Sequence, residues 1–177
     1  MALRSRCDSL LLGVGQLGPS LLAGPLEDLI SRLDSDVVIL RAPSTWKLNQ
    51  ARRILVPAGG RRDQSPIRAR LLGNLCRGGE REVTYLRVLP SAADSETVRR
   101  AEEELRKLAN DEAPGVSKAV VAVRDDVVAE VGEMADASDL VILGLQRANR
   151  GRGVFGEKVL EIAETIPGPL LMISQRS

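Results

Sequence analysis

Short runs of aliphatic and β-branched residues alternate along this chain with segments of helical periodicity, and that alternation limits what it can fold into. Residues 9–12, 37–40, 54–56, 83–89, 119–123, 140–143 and 170–173 read as strands. Most of these runs are near-continuous in apolar character, the pattern of parallel strands covered on both faces. Between them, Ser65-Pro66 places a cap before a proline at a first helical position, with Ile67, Leu71, Leu72 and Leu75 on one face. Asp94 caps a second helix whose stripe is Val98, Ala101, Leu105 and Leu108, and Glu102 to Glu104 with Arg106 and Lys107 read as its solvated side. Asp125 or Asp126 opens a third, with Val127, Val128, Val131 and Met134 inward. Gly156 precedes a fourth, with Val159, Ile162, Ala163 and Ile166, and Pro167-Gly-Pro169 stops it. From Arg53 onward the order is β-α-β-α-β-α-β-α-β, a doubly wound α/β domain.

Composition narrows the chemistry. Of 177 residues, 44% are hydrophobic and 28% charged, enough for a packed core under a solvated surface. A formal charge of +1 and only three aromatics, Trp46, Tyr85 and Phe155, argue against a nucleic-acid interface. Histidine is absent, which removes the usual general base, the serine–histidine triads and the commonest metal ligand. Cys7 and Cys76 have no paired-ligand spacing and read as reduced thiols of a cytoplasmic protein. No metal site is expected. No apolar run approaches the roughly 18 residues needed to span a bilayer. Ser65 is better explained as a helix cap than as a nucleophile, Asp125-Asp126 suits capping, and Asp63 reads as a turn acid. No catalytic residues are assigned.

Gly13-Val-Gly15-Gln-Leu-Gly18 has the spacing of a dinucleotide fingerprint. In that fold the helix begins inside the motif and holds the pyrophosphate. Here Pro19, Gly24 and Pro25 follow, and Pro25 inside such a helix would cost about 3 kcal/mol. Arg41 stands where an acid after the next strand is expected. A loop leading to a late helix fits better. The front of the chain also echoes its end. Asp8-Ser-Leu-Leu-Leu-Gly13 parallels Asp139-Leu-Val-Ile-Leu-Gly144, and Gly24 parallels Gly156. The stripe Leu26, Leu29, Ile30, Leu33 parallels the last helix, and Val37-Val-Ile-Leu40 parallels Leu170-Leu-Met-Ile173. Residues 1–43 are read as the β-α-β end of a first module, 44–51 as a linker, and 52–177 as a complete module.

Arg53-Ile-Leu-Val-Pro-Ala-Gly-Gly60, Glu82-Val-Thr-Tyr-Leu-Arg-Val-Leu-Pro90, Ala137-Ser-Asp-Leu-Val-Ile-Leu-Gly144, Gly156-Glu-Lys-Val-Leu and Gly168-Pro-Leu-Leu-Met-Ile173 follow one another in an order that resembles the universal stress protein family. The resemblance implies a five-stranded parallel sheet of order 3-2-1-4-5, of the adenine nucleotide alpha hydrolase-like kind, plus a partial second module. Ligands would then sit between residues 58–65 and 144–156. Nucleotide-binding members carry an aspartate after the first strand, where this chain has Ala58, Gly59 and Gly60. They also carry Gly-x-x-Gly, nine residues, then Gly-Ser or Gly-Thr, where this chain has Gly144, Arg147, Gly156 and Glu157 with eight residues intervening. The implied site is therefore degenerate. The resemblance would set Arg61 and Arg62 opposite Arg147, Arg150 and Arg152 across it, with Gly151 giving loop freedom, so the open alternatives are an adenine nucleotide, another anion, or solvated arginines.

Tandem modules of this kind are known as cytoplasmic C-terminal domains of amino-acid permeases and cation–chloride cotransporters. The resemblance implies a cytoplasmic regulatory or assembly domain, tethered at the membrane through a transporter portion of the same polypeptide. The alternative is a stand-alone ATP- or AMP-binding universal stress protein, with at most weak ATPase activity. Family members pair through their final strands, which implies a homodimer, or a pseudo-dimer in which residues 37–40 meet 170–173.

Overall fold

The computed structural model describes residues 9–15, 33, 35–59, 65–145 and 157–175. Seven strands occur among them: β1 (Ser9–Val14), β2 (Asp36–Arg41), β3 (Arg53–Pro57), β4 (Glu82–Leu89), β5 (Ser117–Val123), β6 (Leu140–Leu145) and β7 (Leu170–Ser174). Four α-helices join the later ones: α1 (Pro66–Arg77), α2 (Ser95–Glu112), α3 (Val127–Asp136) and α4 (Glu157–Thr165). The helix expected between β1 and β2, with Leu26, Leu29 and Ile30, lies outside the described residues.

Capping chemistry places the helix starts. The Ser65 hydroxyl accepts from Arg68 N at 3.3 Å with Pro66 as the first helical residue. Asp94 accepts from Thr97 N at 2.7 Å, and Asp126 from Ala129 N at 3.0 Å. Asp125 does not cap. Its carboxylate accepts from the Ser91 backbone N–H at 2.9 Å and from the Ser91 hydroxyl, joining the loops after β4 and β5. Gly115, at φ +77°, takes the left-handed turn between α2 and β5 that a side chain would strain.

The strands form one sheet in the order β1-β2-β7-β6-β3-β4-β5. The sheet is therefore seven-stranded where five strands and a separate partial module are expected, because β1 and β2 continue it past β7. It is also mixed. β2 runs antiparallel to β7, while β1–β2, β3–β4, β3–β6, β4–β5 and β6–β7 are parallel.

The β1–β2 and β6–β7 pairs share a register. Leu10, Leu12 and Gly13 stand opposite Val37, Ile39 and Leu40, as Val141, Leu143 and Gly144 stand opposite Leu170, Met172 and Ile173. The β2–β7 ladder respects the same exchange. Val37 opposite Ser174 swaps with Arg41 opposite Leu170, and the Ile39–Met172 pair maps onto itself. An approximate two-fold axis thus passes between Ile39 and Met172.

Successive strand residues serve opposite faces. Ile39, Leu55, Leu86, Leu143 and Met172 pack with Val131 of α3 and Ile162 and Ala163 of α4. Val38, Ile54, Val56, Tyr85 and Ile142 pack with Leu72 of α1 and Leu105 of α2. Residues 44–51, read as a linker, pack on this second layer. Trp46 packs against it and Ala51 is fully buried. The Arg81 guanidinium donates to the carbonyls of Leu48, at 3.2 Å, and Ala51.

Candidate functional site

Parallel strands end together, and their carboxyl ends leave a crevice where neighbouring connections depart to opposite faces. Here that place is between β3 and β6. The chain leaves β3 for α1 on one face, and the connection after β6 leads to α4 on the other. A cavity of about 630 Å³ opens there, at the ends of β3, β4 and β6. The size falls within the roughly 300–1,000 Å³ of small-molecule sites. Pro57, Ala58 and Gly59 form its rim from β3, and Leu143 and Gly144 from β6. Ala58 N donates to Leu86 O at 2.8 Å, which extends the β3–β4 ladder to the rim and fixes it. Leu86 and Val88 of β4, Val127 and Val131 of α3, and Val159 and Ile162 of α4 supply an apolar floor.

The opposite wall is polar. Thr97, Arg100, Ala101 and Glu104 recur at helical spacing on α2 and line the cavity together with Arg87 of β4. Arg87 Nη1 lies 3.0 Å from Glu104 Oε2, and Arg87 is 8% exposed. Arg100 sits at the mouth, half-exposed, 3.6 Å from Glu96.

Three residues of the sequence-derived site, Ala58, Gly59 and Gly144, come together at this rim. Glu157 is the first residue of α4. Gly60, Arg61, Arg147, Arg150, Gly151 and Gly156 lie outside the described residues, as do Asp63 and Arg152. Glu104 is a correction: read as part of a solvated face, it is half-buried and paired inside the cavity wall. The signal was available in Arg87, a lone cation within an apolar strand, in phase with Val83 and Tyr85. Among the described residues no group of histidine, cysteine, aspartate or glutamate could hold a metal ion.

Two buried clusters hold the site's supports. Glu112 at the end of α2 accepts from Arg68 Nε at 2.7 Å, Arg68 Nη2 at 2.9 Å, the Tyr85 hydroxyl at 2.8 Å and Ser65 N at 3.2 Å. Burial, and then the Glu112 charge, push the Tyr85 phenol well above its ordinary range, so it stays a donor. The cluster ties α1, α2 and β4 together at the point where the chain emerges from the β3–α1 connection. Arg41 of β2 does the same for α4. Its guanidinium donates to Ala163 O at 2.6 Å, to Ile166 O and to Gly168 O at 3.0 Å, closing the carboxyl end of that helix. Burial lowers the Arg41 pKa, but no realistic shift discharges an arginine.

At the amino ends of the strands, Asp139 fixes β6 against β3. Its Oδ2 accepts from the backbone N–H of Arg53 at 2.8 Å and Arg52 at 3.1 Å, and its Oδ1 from Arg53 Nη2 at 2.9 Å. The Arg53 hydrogen bond, outweighing slight burial, holds the Asp139 carboxyl below the usual carboxylate range. No helix of the described residues is long and apolar enough to cross a membrane.

No protein-family model matches the sequence, and no curated protein does. Solved structures share the fold. A universal stress protein from Archaeoglobus fulgidus matches with a TM-score of 0.53 and 19% identity, over 69% of this chain and 98% of that one. The universal stress protein from the same organism in complex with dAMP matches at 0.54 and 17%, over 70% and 98%. A further one from Archaeoglobus fulgidus DSM 4304 matches at 0.55 and 14%. It spans 96% of this chain, which in turn covers 62% of that longer protein. This chain thus has an α/β fold like that of the universal stress proteins.

Proposed function

We propose that the cavity at the ends of β3, β4 and β6 binds an adenine nucleotide, and that the domain responds to it without turning it over. The observation that carries this reading is the cavity's position. It lies at the reversal of strand order, rimmed by Ala58, Gly59 and Gly144. One protein of similar fold is in complex with dAMP, which supports the ligand class. The two glycines of the rim let the backbone approach a phosphate or sugar closely. With no histidine in the chain and an apolar floor, the site offers binding and ordering rather than acid–base chemistry.

The larger setting is a proposal of the same kind. The two-fold arrangement of β1–β2 against β6–β7 supports a pseudo-dimer of stress-protein-like units paired through their last strands. Such a unit fits a cytoplasmic regulatory or assembly domain of a membrane transporter, and equally a free-standing nucleotide-binding protein. Membrane spans in the adjoining reading frame would select the first and their absence the second.

The test of the site is calorimetry with AMP, dAMP and ATP. The expected result is saturable binding in the micromolar to low-millimolar range, weakened at least tenfold by Gly144→Val, with no release of phosphate from ATP. A folded protein giving no heat with any of the three contradicts the reading.

A further inference from the structure

We infer that Arg87 and Glu104 are the wall that recognises the polar edge of the ligand's heterocyclic base. The inference rests on the nucleotide reading of the cavity and adds a specificity element that the glycine rim does not contain.

Arg87 is an ion within a hydrophobic strand. Val83 and Tyr85 are fully buried, Leu86 is 1% exposed, and Arg87 itself 8%. A guanidinium so desolvated needs its donors satisfied. One is, since Nη1 donates to Glu104 Oε2 at 3.0 Å. The buried Nε has no acceptor among the described residues. Arg87 also lines the cavity, so a ligand in that space can supply the acceptor.

The chemistry of the pair selects the ligand group. The two charges largely cancel, so the wall exerts little net pull on a phosphate. What it presents is an in-plane N–H donor next to a carboxylate acceptor. A nitrogen heterocycle bearing a ring acceptor beside an amino or imino donor is complementary to that edge. The ring faces would rest on Leu86, Val88, Val127 and Val131, apolar residues of the same cavity. Phosphates then lie away from α2, on the side of Gly59 and Gly144. Thr97 and Arg100, further along the same face of α2, border the mouth.

The test compares AMP with ribose 5-phosphate, which lacks the base, by ligand-observed NMR titration of the whole chain. For Arg87→Met the expected result is an AMP affinity reduced about ten- to a hundredfold, the usual effect of one charge-assisted hydrogen bond. Ribose 5-phosphate affinity should be unchanged. Arg87→Lys keeps the ion pair but loses the planar Nε donor, so it should show the same split and covers the case in which the methionine variant fails to fold. Equal losses for both ligands would make Arg87 a phosphate contact and overturn the inference. No loss for either would make the pair purely structural, with the same consequence. Wild-type protein that binds ribose 5-phosphate but not AMP overturns it as well. Wild-type protein that binds neither removes the nucleotide reading itself.

Discussion

The β1–β2 pair and the β6–β7 pair are the same construction in two environments. Both are parallel, both place a glycine, Gly13 or Gly144, opposite the last residue of the pairing partner's apolar run, and both exchange across the Ile39–Met172 contact. Their burial differs sharply. β6 is buried at nearly every residue, whereas β1 alternates between exposed and half-buried, with Leu11 68% exposed against 0% for Ile142. The cause is the neighbour. β6 has β3 along its far edge, and β1 is the edge of the sheet. The crevice arises where β6 meets β3, and its walls come from α2, α3 and α4.

That contrast can be broken by substitution. Ile142→Ala should cost about 3–4 kcal/mol, since it empties a fully buried position between sheet and helices. Leu11→Ala, at the register-equivalent position of β1, should cost no more than about 0.5 kcal/mol. Denaturant unfolding of both variants measures the difference, and equal losses would mean that β1 is covered. Next in size is Arg41→Met, which leaves carbonyls at the end of α4 without their donor and should cost about 2–3 kcal/mol. Because Arg41 belongs to β2 and its acceptors to α4 and the α4–β7 connection, this variant also reports how firmly the front strands hold the rest. Increased amide exchange in residues 157–165 is the expected signature.

The smallest effect is a pH dependence. Asp139 has a folded pKa below its unfolded value because Arg53 and two backbone N–H groups favour the carboxylate. Its contribution is fully present above the unfolded pKa of about 4 and is lost as pH falls through the lower folded value. Asp139→Asn should flatten that acid limb below about pH 4 and leave the slope near neutrality unchanged. An unchanged acid limb would show that the β3–β6 junction does not depend on this charge.

The strands were legible because each is an apolar run with its own stop signals, and the helix stripes because Ile67, Leu71 and Leu75, then Ala101, Leu105 and Leu108, then Val127, Val131 and Met134 repeat at helical spacing within their own helices. The correspondence of residues 37–40 with 170–173 was legible as an echo, and in the structure β2 pairs with β7. The single seven-stranded sheet was legible only as the pseudo-dimer alternative, since strand composition does not say which edges join. The rim of the cavity followed from the family resemblance, whose motifs set Ala58, Gly59 and Gly144 at the strand ends. Its polar wall did not. Glu104 looks like any solvated helix residue until Arg87, 17 positions earlier, is placed opposite it. The Arg68–Glu112–Tyr85 cluster was hidden for the same reason, its members lying far apart in the chain and joining only after three elements pack. Arg41 showed in sequence only as a missing acid, and its partners are main-chain carbonyls that no side-chain pattern reveals.

The central claim is that one crevice, where β3 meets β6, is the nucleotide site, and that the repeated strand pair at β1–β2 adds none. The stoichiometry of AMP binding at saturation tests it most directly. The account predicts one nucleotide per chain, with Gly144→Val weakening that binding and Gly13→Val, whose added Cβ would meet nothing within 4 Å among the described residues, leaving it intact. Two nucleotides per chain, or one that responds to Gly13 and not to Gly144, would contradict it.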